Sequence, residues 1–454
     1  MLRVCGKDFL NEKNEKIILK GQNIGIWGII EPNMFGTPGV EHRLLRAMKI
    51  FAGQKKTDRF FEGILKKWVT EADIAFLKEL GCNSIRLPFN YRRLEDDAKP
   101  FTYKEEVFKI IDDIISWCAK HEMYAILDMH VVPGYQMGDF CGDNLFEEHS
   151  TFYYCGTSQK RFLKLWETIA QRYKDEKWVG GYDLMNEPVA RDKYEMEVLN
   201  KMYRQAVDVI RAVDPHHIIF IEGNLWSQDF SELDEPFAEN LAYSPHYYCF
   251  GATRPGAYPG VEAESGEQCD IDAMRAAFSK RDSYMIKHNV PCWIGEFGAR
   301  RYPDIDGKHQ ALQDYFTVIK EREYSWCYWC YKDFGLRGPL YINPESPWAK
   351  FVKDIIALKE RYKTDRSNVL GEGWDLSFVF KDYQPDDFVW DREIVEEQLV
   401  RNMRETLSDM LTMSFGRKFA SLSDSEIDAL TDSFLFENCI KYEPWIEIFK
   451  DVSQ

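Results

Sequence analysis

No stretch of this chain is apolar for the length a membrane helix needs. Its opening, Met1 to Lys20, is polar and mixed in charge, unlike a hydrophobic leader. Positive charge is in deficit: 58 Lys and Arg stand against 75 Asp and Glu. The resulting formal charge of −17 excludes nucleic acid and anionic membrane surfaces as partners, since both require a basic face. Cysteine pairing is lacking as well. Eleven cysteines is an odd number, scattered along the chain, which fits buried thiols in a reducing, cytoplasmic setting better than a disulfide framework. The close pair Cys327 and Cys330 falls on or just after a strand-like segment, where residues three apart face opposite sides; neither a bridge nor a zinc site is expected there. No His-x-His follows the first strand-like run and no His-Glu-x-x-His occurs, which disfavours a metal-dependent barrel hydrolase. A phosphate-binding barrel is weakly supported, with only Gly295 and Gly298 near the seventh strand and Arg300 and Arg301 close by.

What is present is an alternation of short apolar strands and amphipathic helices. Strand-like runs fall at Gln22–Trp27, Asn83–Leu87, Tyr124–Met129, Gly181–Met185, Ile218–Ile221, Leu241–Pro245, Pro291–Ile294 and Tyr324–Trp329. Helical patterns lie between most of them, at Glu71–Leu80, Lys104–Glu122, Gln159–Asp175, Tyr194–Val213, Ile271–His288 and His309–Arg322, with an eighth helix after Pro347. Eight alternations predict an α/β fold, a closed parallel (β/α)₈ TIM barrel over residues 1–363. Two βα connections are long: Gly28 to Val69, with a helical piece around Glu41–Ala52, and Val131 to Thr157. Both lie on the face where barrel sites are built. Residues 364–454 form a helical C-terminal extension expected to pack on the barrel. Its helix Asp391–Met413 carries Ile394, Leu399, Met403, Leu407 and Met410 on one side, and a second helix begins at Ser423 with Glu426 completing a capping box.

Two glutamates sit at apolar strand ends, in Asp183-Leu184-Met185-Asn186-Glu187-Pro188 and in Trp293-Ile294-Gly295-Glu296-Phe297-Gly298. On the fourth and seventh strands they can converge across the barrel mouth, as cleavage of a glycosidic bond by two carboxylates requires. Pro188 restricts the backbone at Glu187, and Gly295 and Gly298 allow close backbone approach around Glu296. Asn186 can bond a substrate hydroxyl. Arg86, in Ser84-Ile85-Arg86-Leu87-Pro88, must find carboxylates if it lies inside a barrel, and beside Glu296 it would keep that group ionised. His130, His246 and Tyr248 follow strands and face the same mouth, and Trp329 ends the eighth strand, where its ring can floor a sugar.

Arg86, His130, Asn186-Glu187-Pro188, His246-x-Tyr248, Glu296 and Trp329, in this order and on these strands, resemble glycoside hydrolase family 5, the cellulase-like clan. The match covers about Val4 to Lys363. The resemblance implies a retaining hydrolase of β-glycosides without metal or cofactor: Glu187 protonates the leaving oxygen and then activates water, and Glu296 forms the glycosyl-enzyme. It carries Arg86, His130, Asn186, His246, Tyr248 and Trp329 over as contacts to substrate and nucleophile. The opening Ile24-Gly25-Ile26-Trp27 to Glu31-Pro32 is similar to that of the exo-β-1,3-glucanase branch, which makes Glu31 a candidate substrate contact. The expected partner is an oligosaccharide or β-glycoside, probed from the chain end. An endo-acting β-glucanase or β-mannanase, and a non-catalytic carbohydrate-binding protein, are the competing readings.

Overall fold

A computed structural model describes residues 1–453 except 147–148, 254–255, 263–265, 302–304, 365–380 and 382–391. Eight parallel strands form its centre: β1 (Lys20–Asn23), β2 (Ser84–Asn90), β3 (Tyr124–Val131), β4 (Val179–Asp183), β5 (Ile218–Ile221), β6 (Leu241–Tyr243 and His246–Tyr247), β7 (Trp293–Phe297) and β8 (Ser325–Tyr328). Each pairs with its sequence neighbours, and β8 returns to β1 through Trp326 opposite Lys20. The two pieces of β6 close the ring. Leu241–Tyr243 pairs with β5, and His246 lies opposite Glu296 on β7. Pro245, which has no N–H to give a ladder, separates them.

Helices surround the strands: α1 (Glu41–Lys67), α2 (Glu71–Glu79), α3 (Glu105–Lys120), α4 (Gly156–Tyr173), α5 (Lys193–Arg211), α6 (Ile271–Arg281), α7 (Lys308–Glu321) and α8 (Pro347–Arg361). Capping explains several starts. Thr70 and Asp73 form a reciprocal box at α2, Asp192 accepts from the Glu195 N–H at α5, and Ser346 with Pro347 opens α8. Apolar residues recur on one face of α3 and α5, which bury Ile111, Ile115, Leu199 and Ile210 against the strands. The amino end of the barrel is plugged. A small antiparallel sheet (Arg3–Cys5, Asp8–Leu10, Lys16–Ile17) sets Leu2 and Phe9 beneath Ile126, Phe220, Trp293 and Cys327.

Local departures from the sequence expectations have physical causes. The first strand stops at Asn23 rather than reaching Trp27, because Gly25 takes φ +61° and Gly25–Trp27 turns as a 3₁₀ helix. The helical piece expected near Glu41–Ala52 continues to Lys67, broken at Gly53 (φ 80°, ψ 167°). After β5 a single turn, Asn224–Ser227, stands where a full barrel helix would complete the alternation. The pattern over Ile271–His288 divides at Asp282 into α6 and a short helix, Ser283–His288.

Beyond the barrel lie α9 (Arg392–Ala420), α10 (Asp424–Asp432, capped by Ser423 and Glu426) and α11 (Glu443–Ser453). Cys439–Lys441 pairs antiparallel with Leu340–Ile342 in the connection after β8. The buried Lys332 ammonium donates to the Phe434 carbonyl (2.9 Å) and pairs with Asp73 (2.7 Å). The apolar face read from Met403 and Met410 is not the buried one: these are 37% and 61% exposed. The helix instead buries Leu411, Phe415 and Phe419, the last two against Trp348, Phe351 and Phe60, together with Glu405, Ser408 and Thr412; the small side chains of Ser408 and Thr412 let it lie close to Pro38 and Gly39. Ile394's side chain lies outside the described residues. No helix among the described residues is long and apolar enough to cross a membrane, and all eleven cysteines are free thiols.

Candidate active site

The carboxyl ends of the strands bring Arg86, His130, Asn186, Glu187, His246, Tyr248, Glu296 and Trp329 together. Arg86, on β2, is fully buried, and its guanidinium is used on every side. It reaches Asp183 (2.8 Å), Glu222 (2.8 Å), Asp128 (3.2 Å), Asn23 (3.1 Å), Asn186 (2.9 Å) and Glu296 (2.6 Å). Burial alone would lower its pKa, but the surrounding carboxylates hold it well above its ordinary value. One cation thus gathers the ends of five strands.

Glu296 accepts from Arg86 on one oxygen and from the Tyr248 hydroxyl (2.7 Å) on the other. Burial pushes its pKa up, but His246, Arg86 and the Tyr248 bond outweigh it, and the net shift is downward. The backbone here must pass very near both neighbouring strands: a Cβ on Gly295 would lie 2.1 Å from the Ser244 hydroxyl between the two pieces of β6, and one on Gly298 2.6 Å from the Trp329 carbonyl just after β8. Both glycines therefore serve close approach.

Glu187 is held differently. Its Oε1 lies 2.8 Å from His246 Nδ1, its Oε2 accepts a weak bond from the Cys141 thiol (3.6 Å), and its own N–H donates to Glu222 (2.7 Å). Burial first, and then the charges of Glu296 and Glu222, push its pKa up to about 7 against the opposing pull of His246. Pro188 restricts the residue before it, yet does not hold Glu187 in extended backbone. Glu187 sits at φ +47°, left-handed, a conformation that costs about 1–3 kcal/mol and is fixed by the bond to Glu222. One carboxylate oxygen of Glu187, one of Glu296 and a ring nitrogen of His246 lie within 4.8 Å of one another. That trio is the metal-capable group found among the described residues; within it His246 already bonds Glu187, and Arg86 and Tyr248 bond Glu296.

His130 shares Asp128 (2.7 Å) and accepts at Nε2 from the Asn186 amide (3.1 Å). Burial drives its pKa down to about 3, so the ring is neutral. Trp329 stacks on it at 5.3 Å and donates to the Met34 sulfur. Glu31, far from an ordinary surface glutamate, is 6% exposed. Its pKa is raised to about 8 by burial and then by Glu296, with Arg337 opposing.

Sequence reasoning missed Asp128, Asp183 and Glu222, each fully buried. Burial raises Asp128 to about 7 and Glu222 well above the carboxylate range, with Arg86 pulling both down. Asp128 stands two residues before His130 on β3, so strand periodicity already put it on the same face. Glu222 directly follows the apolar run Ile218–Ile221 and carried the same strand-end signal as Glu187.

The chain matches the model of Cellulase (glycosyl hydrolase family 5) over residues 51–335. It is 33% identical to a beta-xylosidase of Phanerodontia chrysosporium, across 99% of this chain and 98% of that protein. Endoglucanase C of Acetivibrio thermocellus is 25% identical over 64% of this chain and 92% of its own length. A glucan 1,3-beta-glucosidase of Candida oleophila is 27% identical over 54% of this chain and 60% of its own. Among solved structures, Thermotoga maritima Cel5A in complex with mannotriose aligns with a TM-score of 0.50 at 22% identity, over 69% of this chain and 90% of that one. The chain belongs to glycoside hydrolase family 5. It is a glycoside hydrolase acting on β-glycosides, which removes the non-catalytic binding protein from consideration.

Proposed function

We propose that the protein is a retaining β-glycosidase in which Glu296 is the nucleophile and Glu187 the acid/base. The observation that carries this reading is the approach of their carboxylates to within 4.8 Å, in opposite electrostatic settings. Retaining enzymes hold this pair about 5–5.5 Å apart, whereas inverting ones leave about 6.5–9.5 Å for a water. Glu296, ionised by its cationic neighbours, attacks the anomeric carbon as the bond to the leaving oxygen breaks, and that oxygen takes the proton of Glu187. Glu187, now a carboxylate, accepts a proton from water, whose oxygen displaces Glu296 and restores the configuration. Arg86 and Tyr248 hold the nucleophile, His246 the acid/base. His130, Asn186, Trp329 and Glu31 line the sugar side.

We infer action from the chain end on β-glucosides or short β-glucans, supported by the burial of Glu31 beside Glu296 and by the two long connections over the mouth. A second reading, a β-xyloside substrate, is favoured by the full-length similarity to the Phanerodontia chrysosporium beta-xylosidase. Endo action on a glucan or mannan requires an open cleft instead. We take residues 1–363 as the barrel unit and 364–454 as an extension folded onto it, and the free thiols as suited to a reducing compartment.

The test compares aryl β-glucosides with aryl β-xylosides and follows the products of linkage-defined tetrasaccharides, with proton NMR of the first product. Release of one monosaccharide in the β-configuration supports the reading. Mixed early fragments overturn chain-end action, and initial α-product overturns retention. Glu187→Gln should lose about 10²–10⁴-fold in kcat/KM on poor leaving groups.

A further inference from the structure

The helix α9 lies outside the barrel and outside the residues matched to the family, yet it grips both long connections at the barrel mouth. Arg401 Nη2 donates to the Gly138 carbonyl (2.6 Å) and to the Leu145 carbonyl (3.1 Å). These carbonyls bracket the short segment that turns at Phe140–Gly142. Between them, Cys141 places its thiol on Glu187 Oε2, and Asp143 anchors the segment to the barrel through Arg92 (2.9 Å) and Asn90 (3.0 Å). Asp139, in the same segment, bears on Glu31, whose pKa its charge helps to raise. Two turns further along α9, Ser408 donates to the Pro38 carbonyl (2.6 Å) in the connection that carries Glu31. Gly39 lies so near the helix that a Cβ there would meet the Thr412 hydroxyl at 2.4 Å.

We infer that α9 is a wall of the substrate site and that Arg401 is a positioning residue, setting the 138–145 segment against the proton donor. The physical argument is one of restraint. A two-carbonyl clamp fixes both ends of a short loop, and what lies between cannot swing away from Glu187 without breaking a charge-assisted bond. Asp143 secures the loop to β2 and Arg401 secures it to the extension, so both anchors are needed to keep water out at Cys141. Glu187's burial, and thus the pH at which it gives up its proton, then depends on a residue in the extension. The wall also limits how much of a substrate fits beside the proton donor.

This inference rests on Glu187 being the acid/base, so the two are tested apart. In the full chain, Arg401→Ala should shift the basic limb of kcat/KM to lower pH, because water reaching Glu187 favours its ionised form. Activity should fall by up to about 100-fold, and selectivity between an aryl glycoside and a tetrasaccharide should change. Arg401→Lys, which keeps a cation able to reach a carbonyl, should restore the limb at least in part. Ser408→Ala loosens α9 from Pro38 but leaves the clamp intact; it should lower the melting temperature without moving the limb. An unmoved limb and unchanged selectivity in Arg401→Ala, whatever its melting temperature, overturn the inference, as do equal limb shifts in Arg401→Ala and Ser408→Ala. Glu187→Gln is the separate control: if it keeps both turnover and the basic limb of the native protein, the assignment of Glu187 fails, independently of what Arg401 does.

Discussion

Arg86 Nη1 stands 2.6 Å from Glu296 Oε1, in a guanidinium whose other nitrogens are committed to Asp183, Asp128, Glu222 and Asn186. The pair is both a structural and a chemical device. Arg86→Ala leaves Asp128, Asp183 and Glu222 buried without their cation, and should destabilise the protein by about 3–5 kcal/mol in urea unfolding. Arg86→Lys keeps the charge but not the fork, and is the variant for kinetics. A nucleophile must be ionised, so weaker support for the Glu296 carboxylate raises its pKa and moves the acidic limb of kcat/KM to higher pH. An acidic limb unchanged in Arg86→Lys would show that another group keeps Glu296 ionised.

The pH profile of the native protein follows from the same opposition. Activity needs Glu296 ionised and Glu187 protonated. With Glu296 held below its ordinary value and Glu187 raised to about 7, kcat/KM should be a bell with its basic limb near pH 7. Glu187→Gln, assayed with an activated aryl leaving group that needs little protonation, should retain the acidic limb and lose the basic one. A basic limb that survives in Glu187→Gln would assign it to another group.

How much of this was legible in the sequence depends on how local its causes are. Glu187, Glu296, Arg86 and His130 stand at the ends of apolar runs; period-two strands in a closed ring aim alternate residues inward or at the helices, and a charged group is accommodated on the inner side at the mouth rather than in the apolar helix layer. Asp128 was equally legible through His130, two residues on. Glu222 was harder, since no flanking motif marks it and its role appears only when the Glu187 N–H turns to it. Glu31 was not legible as a buried group, because what covers it comes from residues distant in sequence. The face of α9 misled for a related reason. Part of its partner is the backbone of α1 and of Pro38–Gly39, which selects Gly416, Ser408 and Thr412, and its apolar contacts run through Phe415 and Phe419, while Met403 and Met410 face solvent.

Glu31 gives a prediction about stability rather than rate. Its folded pKa of about 8 exceeds the ordinary 4.5, with burial the largest cause. Between these values the folded state keeps a proton that the unfolded state releases, so stability is full below about pH 4.5 and is lost as pH rises toward 8. Glu31→Gln mimics the protonated form and cannot ionise. Urea midpoints at pH 5 and pH 8 should differ less in the variant than in the native protein. Equal differences in the two proteins would mean that Glu31 ionises in the fold as easily as in water.

The contact between α9 and α1 supplies the last prediction. A Cβ on Gly416 would lie 2.7 Å from the Ala47 carbonyl oxygen and 2.8 Å from its carbonyl carbon, closer than real Cβ atoms come to backbone. The obstacle is main chain, which cannot rotate aside as the end of a side chain can, so the two helices must separate to admit even a methyl group. Gly416→Val should therefore cost about 1–3 kcal/mol through overpacking, although valine lies within the ordinary range of helix propensity. Separation of α9 from α1 also loosens Arg401 and Ser408 from the loops they hold, so the loss should appear in both thermal unfolding and kcat/KM. A matched change on the exposed face of the same helix, Met410→Val, meets no such obstacle and should alter neither by a comparable amount. If Gly416→Val melts at the native temperature, the helices are not packed as closely as the backbone distances require.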